Sequence, residues 1–242
     1  MKTMIFAAGL GTRLKPLTDN MPKALVEVDG KPLLQHLLEK LKRQGCTGAV
    51  INVHHFASMI EDWCRSHPMG MDIRFSDERE ELLETGGAIR HASPLLGNAP
   101  FLIHNVDILS NADLASFYRQ SIGFQASLMV STRPSRRQLL FDDDMRLMGW
   151  TNLDTHEVKS PFPSLCVEKC RSYAFSGIHV MNPRLFSYFP QWPRRFGIMD
   201  FYLSICDREP IVGHVEEDLK LVDVGKLDTL PTAAGFLHSI QP

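Results

Sequence analysis

The stretch "TMIFAAGLGTRLKPLT", Thr3–Thr18, decides how the rest of the chain is read. A short apolar run leaves through Gly9 and Gly11 into Arg13 and Lys15, and Lys23 follows soon after. Glycine permits positive φ and lets backbone N–H groups approach a ligand with no Cβ between them. Basic side chains beside such a loop suit an anion, and phosphate in particular. A tight strand-to-loop turn with solvated charges has the same local pattern, so the remaining sequence has to discriminate.

Outward from this turn, strand-like and helix-like patterns alternate. In "PLLQHLLEKLKRQG" Leu33, Leu34, Leu37, Leu38 and Leu41 fall on one helical face. Pro32 stands at the helix start, and Lys40, Lys42 and Arg43 occupy the last turns. "GAVINV", "MDIRFS", "APFLIHNVD" and "ASLMVST" read as strands, separated by helices over "ASMIEDWCRSH", "TGGAIRHAS" and "ADLASFYRQS". This rhythm predicts an α/β fold with a mostly parallel sheet flanked by helices, its ligand beyond the carboxyl ends of the strands. Later, "QLLFDDDMRLMGW" predicts a hairpin turning at Asp142–Asp144, and "SYAFSGIHVM" a strand with a central glycine. Helices are expected over "PRLFSYF" and "MDFYLSICD", short strands at "IVGHVE" and "LKLVDVG", and a closing helix interrupted by Pro231.

A chain of 242 residues, 44% hydrophobic and 22% charged, suits one large domain. We expect a nucleotide-binding half over 1–131 and a half over 132–242 that covers it. The net charge of −2 offers no general attraction for nucleic acid or an anionic membrane, so neither is an expected partner. Five cysteines without a CxxC pair read as reduced thiols. The first apolar run is broken by Gly9, Gly11 and Arg13, too soon for a secretory signal, and the expected location is cytoplasmic.

Asp107 ends "FLIHNVD" and Asp223 lies in "LKLVDVG", each after an apolar run. Either aspartate could cap a helix or turn. Together they could hold Mg²⁺, which takes one or two carboxylates and completes its shell with substrate phosphate oxygens. A glycine turn, two cations and two strand-end acids are the components of a phosphoryl-transfer site.

Residues 6–34, "FAAGLGTRLKPLTDNMPKALVEVDGKPLL", resemble the signature of the sugar-1-phosphate nucleotidyltransferases, the NDP-sugar pyrophosphorylases. "ETGGAI", "NVD", "FSGIHV" and "VDVG" follow in the family's order. The resemblance implies the Rossmann-like fold of the nucleotide-diphospho-sugar transferases and an enzyme that joins a nucleoside triphosphate to a sugar-1-phosphate. By the same likeness, amides around Ala8, Gly9, Gly11 and Thr12 would hold the triphosphate, and Arg13 its leaving phosphates. Lys23 would bridge the α-phosphate and the sugar phosphate. Thr85, Gly86 and Gly87 would meet base and ribose, with Asn105 near the nucleoside. Asp107 and Asp223 would bind Mg²⁺, and Gly177 would admit the sugar.

Two departures stand out. Val106 replaces the family's usual small residue before the first metal aspartate, and neither Lys159 nor Lys169 has the spacing to Gly177 of the family's sugar-phosphate lysine. The short chain with "ETGG" looks most like the N-acetylmuramate-1-phosphate uridylyltransferases, while similar short members use GTP with mannose or heptose phosphates. A phosphocholine cytidylyltransferase, with Trp150 and Asp142–Asp144 near the choline, and a non-catalytic nucleotide-sugar sensor are the remaining readings. His54 and His55 are expected on a loop or the substrate rim, since neighbours on an extended segment point apart. Trp63, Trp150 and Trp192 are expected in the core or an interface. Arg136 and Arg137 could reach a substrate carboxylate or belong to an exposed loop.

Overall fold

The computed structural model describes residues 1–240. Its strands are β1 (Lys2–Phe6), β2 (Glu27–Val28), β3 (Lys31–Pro32), β4 (Gly48–Val53), β5 (Asp72–Asp77), β6 (Phe101–Asn105) and β7 (Ile108–Ser110). They continue with β8 (Ala126–Ser131), β9 (Arg137–Phe141), β10 (Leu147–Asn152), β11 (Val158–Lys159), β12 (Arg171–Met181), β13 (Ile211–Val215) and β14 (Leu221–Asp223). The helices are α1 (Leu33–Arg43), α2 (Ala57–Ser66), α3 (Glu84–Leu96), α4 (Leu114–Ser121), α5 (Ile198–Ile205) and α6 (Leu230–Ile240).

β1 lies inside a parallel run ordered β5-β4-β1-β6. Its neighbouring residues Met4 and Ile5 are both fully buried but belong to different core clusters, one on each face of the sheet. Such a strand reads as a continuous apolar run because neither face meets water. Leucines of α1 with residues of α2 and α4 cover one face, and α3 and α5 cover the other. The leucine face of α1 is buried as its spacing predicts. α4 is capped by Asp113, whose side chain accepts the Ser116 amide at 2.9 Å.

Beyond β6 the sheet turns antiparallel. β12 pairs with β6 through Ile178–Met181, and with β9 through Arg171–Tyr173. β10 and β11 extend that second branch, whereas β8 pairs with β12 and, in parallel, with β13. One mixed sheet therefore contains strands from both parts of the chain. The hairpin at Asp142–Asp144 forms as expected, the Asp142 side chain accepting the amides of Asp144 and Arg146.

Three local expectations change. Residues Pro183–Gln191 form a 3₁₀ helix with Pro190 inside it, not an α-helix. Pro231 stands at the second position of α6, where its missing N–H costs nothing, so the helix runs on uninterrupted. The segment after Asp107 forms β7, which pairs with β14 in a ribbon separate from the main sheet. Among the described residues, no helix is long and apolar enough to cross a membrane.

Candidate active site

The glycine turn leaves β1 at the carboxyl edge of the parallel strands. Its first amide, Ala7, donates to Asn52 Oδ1 at 2.8 Å, and Asn52 Nδ2 donates to Glu78 Oε1 at 2.8 Å. The other Glu78 oxygen accepts the Leu83 amide at 3.1 Å. Burial pushes the Glu78 carboxyl above the ordinary glutamate range, while the Asn52 and Leu83 bonds pull it back. This chain across β1, β4 and β5 fixes where the turn begins. Farther on, Thr18 Oγ1 donates to the Gly11 carbonyl at 2.8 Å. A Cβ on Gly11 would come within 2.9 Å of the Thr18 methyl, so the fold there leaves room only for glycine.

Ala8, Gly9, Gly11 and Thr12 line a cavity of about 480 Å³. Arg13, Lys23, Thr85, Asn105 and Asp107 share that wall. Val106 does as well, yet it is 4% exposed and packs with the core, which absorbs its bulk.

Lys23, in a short 3₁₀ turn, forms an ion pair with Asp107. In the β7–β14 ribbon Asp223 stands opposite Ile108, the residue after Asp107, and the Val224 amide donates to the Asp107 carbonyl at 2.9 Å. The ribbon thus brings the two acids, far apart in sequence, to one rim. The Asp223 carboxyl is pushed above the usual aspartate range, first by surrounding protein and then by the Asp107 carboxylate; Lys23, Arg13 and Arg133 oppose the shift. Gly225 lies where Arg13 and Asp223 converge: a Cβ there would sit 2.8 Å from Asp223 Oδ1 and 2.9 Å from Arg13 Nη2. The Asp223 carboxylate thus feels one neighbouring acid and three cations. The reading of Asp107 as a helix cap is replaced, because Asp113 caps the following helix.

Gly177 has φ +79° and interrupts the β12–β8 register between Phe175 and His179. A Cβ on it would sit 2.7 Å from Asn105 Nδ2, so β12 and the end of β6 meet closely here. Gly86 and Gly87, expected at base and ribose, do not line that cavity. Both amides donate to the Phe196 carbonyl, at 2.9 and 3.2 Å, and the Phe196 ring covers Gly86. These glycines dock α3 against the 194–196 segment, so their N–H groups are already engaged. Thr85 Oγ1 likewise accepts the Ile198 amide at 2.9 Å, although Thr85 itself reaches the cavity.

Other candidates settle into structural roles. His54 Nδ1 bonds the Glu78 carbonyl at 2.6 Å, and among the described residues no group of three or more His, Cys, Asp or Glu side chains could hold a metal. Arg136 pairs with Asp154 on the surface, and Arg137 is exposed on β9. Lys159 lies over the Trp150 ring and contacts Asp200 at 3.3 Å, whereas Lys169 is exposed in a separate turn. Asp143 pairs with Arg171. Trp192 packs in the aromatic cluster over α5, and Trp63 stacks on His67. Sequence reasoning missed Asn52, Glu78 and Gly225. Only the glycine in "VDVG" carried a local signal, since the partners of the other two lie on distant strands.

Comparison with known proteins adds an independent line. Residues 2–139 match the family described as nucleotidyl transferase. An N-acetylmuramate alpha-1-phosphate uridylyltransferase of Neisseria meningitidis is 44% identical over 191 residues, covering 77% of this chain and 77% of that protein. One from Caulobacter vibrioides is 49% identical over 107 residues, covering 43% of this chain and 44% of its own length. More distantly, a D-glycero-alpha-D-manno-heptose 1-phosphate guanylyltransferase of Aneurinibacillus thermoaerophilus is 31% identical over 56% of this chain and 59% of its own length. In fold, the chain is similar to the crystal structure of HddC from Yersinia pseudotuberculosis complexed with GMP-PN, with a TM-score of 0.76 at 23% identity over 98% of this chain and 99% of that one. The chain belongs to the nucleotidyl transferase family and, within it, to the sugar-1-phosphate nucleotidyltransferases.

Proposed function

We propose that this protein joins UTP to N-acetylmuramate-1-phosphate and releases pyrophosphate. The observation that carries the chemistry is the meeting of Asp107 and Asp223 across the β7–β14 ribbon, facing Lys23 and Arg13 of the glycine turn. The choice of substrates leans on the 44% identity to the Neisseria uridylyltransferase over 77% of the chain.

In this reading the amides of Ala8, Gly9, Gly11 and Thr12 hold the triphosphate along the cavity wall. The sugar-1-phosphate needs no general base, since a phosphate monoester loses its second proton near pH 6 and is already dianionic at neutral pH. One of its oxygens forms a bond to the α-phosphorus as the bond from that phosphorus to the β-phosphate oxygen breaks, and pyrophosphate departs with the electron pair. Lys23 offsets the repulsion between the two phosphates that react, and Arg13 receives charge building on the leaving group. Two carboxylates with room for phosphate oxygens are the donor set Mg²⁺ prefers, so Asp107 and Asp223 would hold it. When bound, it would supply charge neutralisation at the phosphates.

The guanylyltransferase relative supports a second reading, GTP with a heptose- or mannose-phosphate. Four triphosphates assayed against the 1-phosphates of N-acetylmuramate, N-acetylglucosamine, mannose and heptose, with pyrophosphate as the readout, test both. The highest kcat/KM is expected for UTP with N-acetylmuramate-1-phosphate. Preference for GTP would move the assignment to the second reading, and silence of every pair would overturn both.

A further inference from the structure

Arg133 follows the end of β8 and is half-buried. One terminal nitrogen donates to the Phe175 carbonyl at 2.7 Å, two residues before Gly177. Its Nε is shielded from solvent and has no hydrogen-bond partner. Among the described residues no carboxylate lies within ion-pair distance of this guanidinium, although Asp223 is the charge that most favours its protonated form. A half-buried guanidinium using one of its five N–H donors is costly unless something else satisfies it. Lys23 and Arg13 are on the glycine-turn side of the acid pair and line the nucleotide cavity. Arg133 is not part of that lining; its bond to Phe175 ties it to β12, the strand that carries Gly177. Lys159 is engaged by Trp150 and Asp200, and Arg136 by Asp154.

We infer that Arg133 is a substrate-binding residue that grips an oxyanion of the sugar substrate, either its 1-phosphate or a carboxylate carried on the sugar. The planar guanidinium offers two parallel donors to either group, which a lysine cannot. The inference rests on the sugar-1-phosphate reading above, but not on which base or sugar is used.

The test measures steady-state constants for Arg133→Gln and Arg133→Lys with whichever substrate pair the wild-type enzyme turns over. In Arg133→Gln the KM for the sugar-1-phosphate should rise about tenfold or more, the loss of a charge-assisted contact, with the KM for the triphosphate and the melting temperature unchanged. Arg133→Lys should recover part of that loss, and it provides the measurement if the glutamine variant fails to fold. Comparing N-acetylmuramate-1-phosphate with N-acetylglucosamine-1-phosphate separates the two oxyanions: a penalty confined to the first assigns the carboxylate, and an equal penalty assigns the phosphate. An unchanged sugar-phosphate KM in either folded variant would overturn the inference. So would parallel rises for both substrates accompanied by lower thermal stability. If the wild type rejects N-acetylmuramate-1-phosphate but accepts another sugar phosphate, the proposed substrate fails while this test still runs.

Discussion

Replacing Gly177 with alanine probes the point where the two halves of the site meet. At φ +79° a non-glycine residue bears a left-handed backbone, about 1–2 kcal/mol. The new methyl would also sit 2.7 Å from Asn105 Nδ2 and 3.3 Å from Asn105 Cγ, so the Asn105 side chain must move. Gly45, in the left-handed turn that ends α1, makes the control: its φ is +80°, but a Cβ there would meet nothing within 4 Å. Gly45→Ala should therefore lose only the backbone term, and each kcal/mol should lower the melting temperature by about 2–4 °C in a chain of this size. Gly177→Ala should lose at least as much stability and, unlike the control, lower kcat/KM about tenfold or more because Asn105 lines the cavity. Calorimetry and a pyrophosphate-release assay on both variants provide the comparison. Equal activity in the two alanine variants would refute the placement of Gly177 and Asn105 beside substrate.

Asn52→Ala should leave the Ala7 amide and a buried Glu78 oxygen without partners, costing about 1–3 kcal/mol for each, and should raise the KM for the triphosphate more than that for the sugar phosphate; chemical denaturation and initial rates check it. His104 and His179 are buried and held down to about 3, chiefly by burial. The unfolded chain takes up these protons near pH 6.5 and the folded one does not, so their stabilisation is complete above that pH and declines as pH falls toward 3. The loss should reach about 2 kcal/mol per histidine by pH 5. Urea midpoints at pH 7 and pH 5 should show it, and His179→Leu should reduce the difference.

The sequence exposed what depends on local pattern. The glycine turn, the leucine face of α1 and the hairpin at Asp142 follow from residues near one another in the chain, and the structure places them as read. The β7–β14 ribbon was less visible, since three-residue strands leave too short an alternation to see. Gly86 and Gly87 pack against Phe196, over a hundred residues away, and a glycine needed for close packing is indistinguishable in sequence from one that offers its amide to a ligand. Arg136 and Arg137 drew attention as a pair, yet it is Arg133 whose guanidinium turns inward, a choice made by the path of the loop between β8 and β9. Asn52 and Glu78 carry no motif because their partners come from three different strands and loops.

The central claim is that the carboxylates of residues 107 and 223 act as one unit on a single divalent cation opposite the glycine turn. Pyrophosphate release, measured in Mg²⁺ for Asp107→Asn, Asp223→Asn and the double variant with all three shown to be folded, tests it most directly. Each single change should lower kcat about 10²–10³-fold, and the double variant should be little worse than either, since one removal already breaks the site. Losses that multiply in the double variant, or a near-normal rate in either single one, would contradict it.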